Sequence, residues 1–387
     1  MRSSRRSIPR TLVAILFAAF AITALGACKR KHEGIVLGLY ASMTGAEAEF
    51  GTSTRNGAQL AIDEINARGG IMGQRVHLVV EDTRGDSNEA ASAVTRLIDR
   101  EGSVGVLGEI ASSLSLAGGR VAQRRHTPMI SPSSTNQTVT MVGPYIFRVC
   151  FIDPFQGGVM ASFARQRGWT RVAVFQDQGS AYSTGLASAF RNTFTRMGGQ
   201  IVDEQSYRAS DTHFSAQLGS MLRNNPDAIF VPGYYTNVAL IAREARGLGF
   251  RGAFMGGDGW DAPALYQNDD DALVGSYFSE SFAPDHPVTP TGQHFVEAYR
   301  ARYHTDANGL SALGYDAALV MMDAIRRANS LDTARIRDAI AATRDFEGAT
   351  GITTLNAHRD AVKSAVVLAV EPNSFRFQQS VEPSQIQ

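Results

Sequence analysis

The chain is poor in the residues and motifs that most often announce a chemistry. Its 387 residues include two cysteines, Cys28 and Cys150. That excludes a disulfide-stapled framework and a zinc site built on several cysteines. Lys plus Arg and Asp plus Glu each number 37, so the formal net charge is zero. A nucleic-acid partner would ask for a basic excess, which is missing. Eight histidines are scattered without H-x-x-x-H spacing, so no helical metal pair is expected. There is no G-x-S-x-G elbow, no P-loop, and no G-x-G-x-x-G after the first strand candidate. Glu109 and Asp177 are the acids a catalytic reading would need, and loop or hinge roles suit them better. The expectation is a chain that is not an enzyme and carries no cofactor and no metal.

Long apolar runs are also scarce. The first is Leu12 to Leu25, uncharged and preceded by Arg2, Arg5, Arg6 and Arg10. It is too short to favour a spanning helix, which needs about 20 residues, and it has the layout of an export signal. Leu25-Gly26-Ala27-Cys28 follows it. This resembles a bacterial lipoprotein box, which implies lipidation at Cys28 and removal of residues 1–27. An ordinary signal with a chance cysteine is the other reading. Ser4-Arg5-Arg6 hints at twin-arginine export, against which Pro9 speaks. The mature protein is then expected outside the cytoplasm, lipid-anchored to a bacterial membrane on its periplasmic side or at the cell surface. Acyl chains contribute about 0.8 kcal/mol per buried CH2, so more than one anchors stably. With Cys28 acylated, Cys150 has no partner, and no internal disulfide is expected.

From Gly34 onward, short β-branched runs alternate with amphipathic segments. Strand candidates are Ile35 to Leu39, Val76 to Val80, Val104 to Leu107 and Pro128 to Ser131. Between them lie helix candidates Asn56 to Arg68, Ser87 to Arg100 and Ser112 to Arg125. After Asp153 the alternation resumes. Strands are read at Arg171 to Phe175, Gln200 to Tyr207, Ala228 to Val231 and Ala253 to Met255. Helices are read at Gly157 to Arg167, Gly185 to Met197, Phe214 to Asn224 and Val238 to Leu248. Three later helices, Gly292 to Tyr303, Ser311 to Ala328 and Thr333 to Thr343, precede a last strand at Ala365 to Val370. Residues beyond Glu371 read as patternless. Two such runs predict two α/β lobes with parallel sheets covered on both faces.

Ligands of open parallel sheets bind beyond the carboxyl ends of the strands. In the first lobe those ends carry Glu109-Ile110-Ala111-Ser112-Ser113 and Ser131-Pro132-Ser133-Ser134-Thr135. In the second they carry Gln176 to Tyr182, Gly233-Tyr234-Tyr235, and MGGDGWD at Met255 to Asp261. Helix N-termini and hydroxyls can hold a carboxylate. Asp258 and aromatic faces can hold an ammonium. Together they suit a zwitterion. The plainer alternative makes Ser112 and Thr135 helix caps and Asp258 a turn residue.

At this point a family resemblance can be stated. Gly57-Ala58-Gln59-Leu60-Ala61-Ile62-Asp63-Glu64-Ile65-Asn66, then Gly69-Gly70-Ile71 and Gly73, resemble the first helix and turn of periplasmic leucine/isoleucine/valine-type binding proteins. Ser112-Ser113, Pro132 to Thr135, Tyr182 with Gly185, Gly233-Tyr234 and Gly256 to Gly259 fall in that family's order. The resemblance runs from about Gly34 to Val370. It implies the α/β type I periplasmic binding protein fold, two doubly wound parallel-sheet lobes joined by three crossover strands. Lobe 1 would be 34–152 plus 283–350, lobe 2 would be 153–282 plus 351–377, and 378–387 a C-terminal tail.

The resemblance also implies roles. Ser112 and Thr135 would hold a ligand α-carboxylate, with Ser134 in the same turn. The Ser133 carbonyl, Tyr234 and Asp258 would surround the α-amino group, and Tyr182 would close from the second lobe. Phe50, Ile110 and Ala111 would line the ligand side chain. Trp260 is open between pocket wall and core. Two departures stand out: Asp258 where amino-acid binders often carry Glu, and no small disulfide, since Gly85 and Ala111 occupy its region. The implied function is capture of a small amino acid, branched-chain or otherwise aliphatic, by a monomer that delivers it to an ABC permease with separate ATPase subunits. A ligand-sensing receptor subunit, or a binder of amide, urea-type or aromatic ligands, is the alternative.

Overall fold

Ile35–Ala41 (β1) is buried along its whole length, as a parallel strand covered on both faces must be. It is followed by Ala48–Ala67 (α1), Val76–Asp82 (β2), Ser87–Asp99 (α2), Gly105–Leu107 (β3), Ser112–Arg124 (α3), Met129–Ser131 (β4) and Ile146–Arg148 (β5). The five strands form one parallel sheet in the order β2-β1-β3-β4-β5. These features come from a computed structural model that describes residues 33–267 and 271–386. The expected signal segment and Cys28 lie outside the described residues.

The second run comprises Asp153–Gln166 (α4), Arg171–Asp177 (β6), Ala181–Arg196 (α5), Gln200–Tyr207 (β7), Ser215–Arg223 (α6), Ala228–Phe230 (β8), Tyr235–Gly247 (α7), Ala253–Gly256 (β9) and Tyr277–Glu280 (β10). Then come helices Pro290–Tyr303 (α8), Gly309–Ala328 (α9) and Thr333–Ala341 (α10). Five strands end the chain: Phe346–Gly348 (β11), Gly351–Leu355 (β12), Ala361–Val362 (β13), Ala365–Glu371 (β14) and Ser374–Val381 (β15). The second sheet is ordered β15-β14-β10-β9-β8-β6-β7. It is antiparallel where β14 meets β10 and β15.

Helix α9 returns to the first lobe because two glycines let it approach α1 backbone to backbone. A Cβ on Gly57 would lie 1.8 Å from the Ser311 carbonyl oxygen, and one on Gly314 would lie 2.3 Å from that of Thr54. The chain therefore crosses between sheets after β5, after β10 and before β14. Two buried cations tie these crossings together. Arg148 pairs with Asp360 at 2.7 Å. Lys363 Nζ donates to the Val149 carbonyl at 3.2 Å and to the hydroxyls of Thr350 and Thr353.

Several elements extend beyond their expected bounds. Helix α1 starts at Ala48 rather than Asn56, so Phe50 lies in its first turn. Helices α4, α5 and α7 start at Asp153, Ala181 and Tyr235. Polar first turns hid those starts. Strands β5, β10 and β11 to β13 were not anticipated, being short and lacking alternation. The segment past Glu371 is corrected too: Ser374–Val381 is an edge strand paired antiparallel with β14, followed by a helical turn at Pro383–Gln385. Its exposed and half-buried alternation is that of a strand covered on one face.

Candidate functional site

The loops at the carboxyl ends of both sheets meet face to face. Hydrogen bonds join them directly. Asn136 Nδ2 donates to the Ala181 carbonyl at 2.6 Å, the Ala181 amide donates to Ser113 Oγ at 3.1 Å, and Tyr235 Oη donates to the Ala46 carbonyl at 2.7 Å. The lobes are closed on one another, and the residues between them are nearly all buried.

The first-lobe side is braced from within. Glu109 is buried and accepts from Ser42 Oγ, Thr83 Oγ1 and the Ala111 amide, at 3.0, 2.9 and 2.7 Å. This holds the strand-to-helix loop that presents Ile110, Ala111 and the N-terminus of α3. A helix N-terminus leaves its first amides without intrahelical acceptors. In α3 the amides of Leu114 and Ser115 already turn back to the Ala111 carbonyl, so the open end lies at Ser112 and Ser113. Ser112 is not the cap; that position is Ala111, which has no side-chain cap. Ser112 Oγ accepts from the Asn136 amide at 3.3 Å.

Across from it sits the turn Ser131 to Thr135. Ser134 is committed to the scaffold. Its hydroxyl meets Ser115 Oγ at 2.7 Å and the Ile110 carbonyl at 2.8 Å, and its carbonyl accepts from Arg148 Nη1. Its hydroxyl is therefore occupied within lobe 1. Ser133 Oγ is buried and has no hydrogen-bond partner, and the buried Thr135 hydroxyl stands beside the Asp153 carboxyl. Thr135 begins no helix, which removes the capping alternative for it.

On the second lobe, Tyr182 stacks on Tyr234 at 5.2 Å with 4° between ring planes. Phe50 meets Tyr234 edge-on at 5.6 Å and Tyr235 at 5.0 Å. Tyr182 Oη accepts from the Gly259 amide at 3.0 Å. The MGGDGWD stretch ends β9 and turns through one 3-10 turn, Asp258–Trp260. Gly259 lies against both tyrosines: a Cβ there would fall 3.0 Å from each ring. Asp258 is buried and accepts from Gln156 Nε2 at 2.8 Å. Trp260 points the other way. Its ring is fully buried against Gly256 and Phe278, and Nε1 donates to the Val231 carbonyl at 3.0 Å. This is the packing of a core side chain.

The electrostatics are one-sided. Burial pushes the Asp258 carboxyl well above its usual range; a Tyr182 hydrogen bond opposes this, and the charges of Asp153 and Asp261 add to it. Burial pushes Asp153 up to about 7, and Asp261 likewise. Glu280 is raised by burial and then by Asp261 and Asp258. At Asp153 the neighbouring Thr135 hydroxyl opposes the rise. Arg148 stands near but is already paired with Asp360. Uncompensated buried carboxyls favour whatever brings positive charge. An open helix N-terminus opposite favours negative charge. The arrangement can hold a small zwitterion and exclude water from it.

Residues 34–374 match the family described as periplasmic binding protein. The chain belongs to that family. Like its relatives it is a solute-binding protein and not an enzyme. The Leu/Ile/Val-binding protein BraC3 of Rhizobium johnstonii is 30% identical over 327 residues, covering 84% of this chain and 86% of that protein. The leucine-binding protein LivK of Thermotoga maritima superposes with a TM-score of 0.87 at 42% identity, over 90% of this chain and 99% of that one. LivJ of Streptococcus pneumoniae, a branched-chain amino acid transporter substrate-binding protein solved with isoleucine, gives 0.85 at 33%, over 91% and 100%. The type I periplasmic binding protein fold expected from the sequence is the fold found.

Three buried polar residues at or beside the candidate site escaped the sequence reading: Asp153, Gln156 and Asp261. One signal was available. Gln156 precedes Val159, Met160 and Phe163 by three, four and seven residues, so it lies on the apolar stripe of α4. A polar residue on a buried stripe is the informative kind. Cys150 is buried and free among the described residues.

Proposed function

We propose that this chain is the substrate-binding component of an ABC importer and captures a branched-chain or similar aliphatic amino acid between its lobes. The observation that carries the reading is the pairing of a buried Asp258 carboxyl on lobe 2 with the open N-terminus of α3 on lobe 1, where Ser113 meets Ala181 across the closed interface. Lobe 2 offers the acid for an ammonium, and lobe 1 offers amides with Ser112 and Thr135 for a carboxylate. Ser133 supplies its carbonyl and Tyr234 a ring face to the ammonium. Tyr182 closes over the ligand, and Phe50, Ile110 and Ala111 receive its side chain. The names of the relatives support the ligand class, and the mechanism is capture by hinge closure. A membrane permease with separate ATPase subunits then takes the closed form.

The protein works as a monomer held at the extracytoplasmic face of a bacterial membrane by lipid on Cys28, after removal of residues 1–27. The ligand reading is tested by titrating the full-length protein with a panel of amino acids, amides and aromatic acids in a calorimeter. Leucine, isoleucine or valine should bind, and Asp258→Ala should abolish it. Unchanged binding by that variant would refute the ammonium assignment. Labelling with radioactive fatty acid should mark the wild type and not Cys28→Ser.

A further inference from the structure

Asp258 is one methylene shorter than glutamate, so its carboxylate reaches less far, and one of its oxygens is already engaged by a neighbouring side chain. Gln156 is fully buried in the first turn of α4, and its Nε2 donates to Asp258 Oδ1 at 2.8 Å. The other end of the same amide, Oε1, is buried without any partner. The orientation follows from chemistry, since the flipped amide would set oxygen against carboxylate oxygen. Gly257 packs against this oxygen: a Cβ there would come within 2.1 Å of Gln156 Oε1 and 2.7 Å of Tyr182 Oη. Any other residue there would take the space in front of the amide.

We propose that Gln156 is a ligand-binding residue whose amide bridges Asp258 and the ligand's ammonium, extending the short acid. An ammonium has three N–H donors and each needs an acceptor when buried. Asp258 supplies one and Gln156 Oε1 the second. The third is the Ser133 carbonyl, already assigned to the ammonium above. The Nε2 donor has a separate effect. It stabilises the ionised form of Asp258 against burial, which is the form a cation requires. The inference rests on the ammonium reading of Asp258 given above.

The test is calorimetry of leucine binding to the full-length protein in detergent, from pH 5 to 9, for wild type, Gln156→Met and Gln156→Asn. Met keeps the volume of the side chain and removes both hydrogen-bonding ends; Asn keeps the amide but withdraws it. A bond to a charged group predicts about ten- to hundredfold weaker binding for Gln156→Met at pH 8, and a smaller loss for Gln156→Asn. The fall of affinity on the acid side should also move to higher pH in Gln156→Met, because Asp258 has lost its donor. A change under threefold at pH 8 overturns the inference. So does a loss that is equal at every pH, which marks a packing role alone. Absence of leucine, isoleucine and valine binding by the wild type overturns the reading of the site itself and this inference with it.

Discussion

Asp258 and Asp261 stand at the two ends of a single helical turn and serve opposite lobes. Asp258 accepts from Gln156 in the second lobe. Asp261 Oδ2 accepts from the Gly309 amide at 2.7 Å and weakly from Leu310 at 3.4 Å, at the N-terminus of α9 in the first lobe. Asn308 Nδ2 adds a contact to the Asp261 carbonyl at 3.3 Å. The turn that presents the acid of the site is thus fastened to the opposite lobe beside the crossing after β10. Asp261→Ala should leave this fastening open. Ligand affinity should fall about ten- to hundredfold, the range of a lost bond to a charged group. Small-angle scattering should show a larger radius for the ligand-saturated variant than for the wild type. An unchanged radius and affinity would leave Asp261 as a local cap of α9.

Binding should depend on pH through Asp258. Its carboxyl is raised well above the ordinary range, first by burial, so part of the empty protein carries a proton there. A cationic ligand requires the ionised form. Capture should therefore release protons, seen as a binding enthalpy that varies with buffer ionisation enthalpy, and affinity should fall with pH above the usual carboxylate range. The stability of the empty protein runs the other way. Asp153 and Asp261 are raised to about 7, so between the ordinary carboxyl value and 7 the folded state holds protons that the unfolded state has lost. Their contribution is fully present at low pH, is lost as pH rises to about 7, and is constant beyond. Asp153→Asn should raise the unliganded melting temperature at pH 8 and flatten this dependence. The gain is at most about 4 kcal/mol, since one pKa unit is about 1.4 kcal/mol.

Trp260 should matter to stability and not to ligand choice. Its ring is sealed against Gly256 and Phe278 and its N–H is bound to the Val231 carbonyl. Trp260→Ala should cost about 3–5 kcal/mol in chemical denaturation, with the ranking of leucine, isoleucine and valine unchanged. A changed ranking with little loss of stability would put the ring in the ligand wall.

Much of the molecule was legible beforehand because it follows from short-range patterning. The continuous apolar run of β1 and the 3.6-residue spacing of helices such as α2 identify elements by the faces they bury. Their alternation identifies parallel sheets, and parallel sheets put the loops at the carboxyl ends of the strands. Those loops carry Ser112, Ser133, Thr135, Tyr182, Tyr234 and Asp258. Polar helix starts were harder. Asp153, Ala181 and Tyr235 begin helices whose first turns are buried in the lobe interface, so no amphipathic pattern marks them.

By itself the sequence determined the two-run α/β alternation, the family, and the types of group at the strand ends. It did so because each of these is set by neighbours along the chain. Only the tertiary structure decided which way each side chain in the Gly256 to Asp261 turn points. Trp260 went to the core, Asp258 to Gln156 and Asp261 to α9. Those partners are Phe278 and Val231, residue 156, and residue 309, all distant in sequence. The fold also occupied the Ser134 hydroxyl within lobe 1 and left Gln156 with an unspent acceptor. A glycine-rich turn does not choose among such partners; the burial of carboxyls and the need to satisfy them, once the lobes are closed, makes the choice.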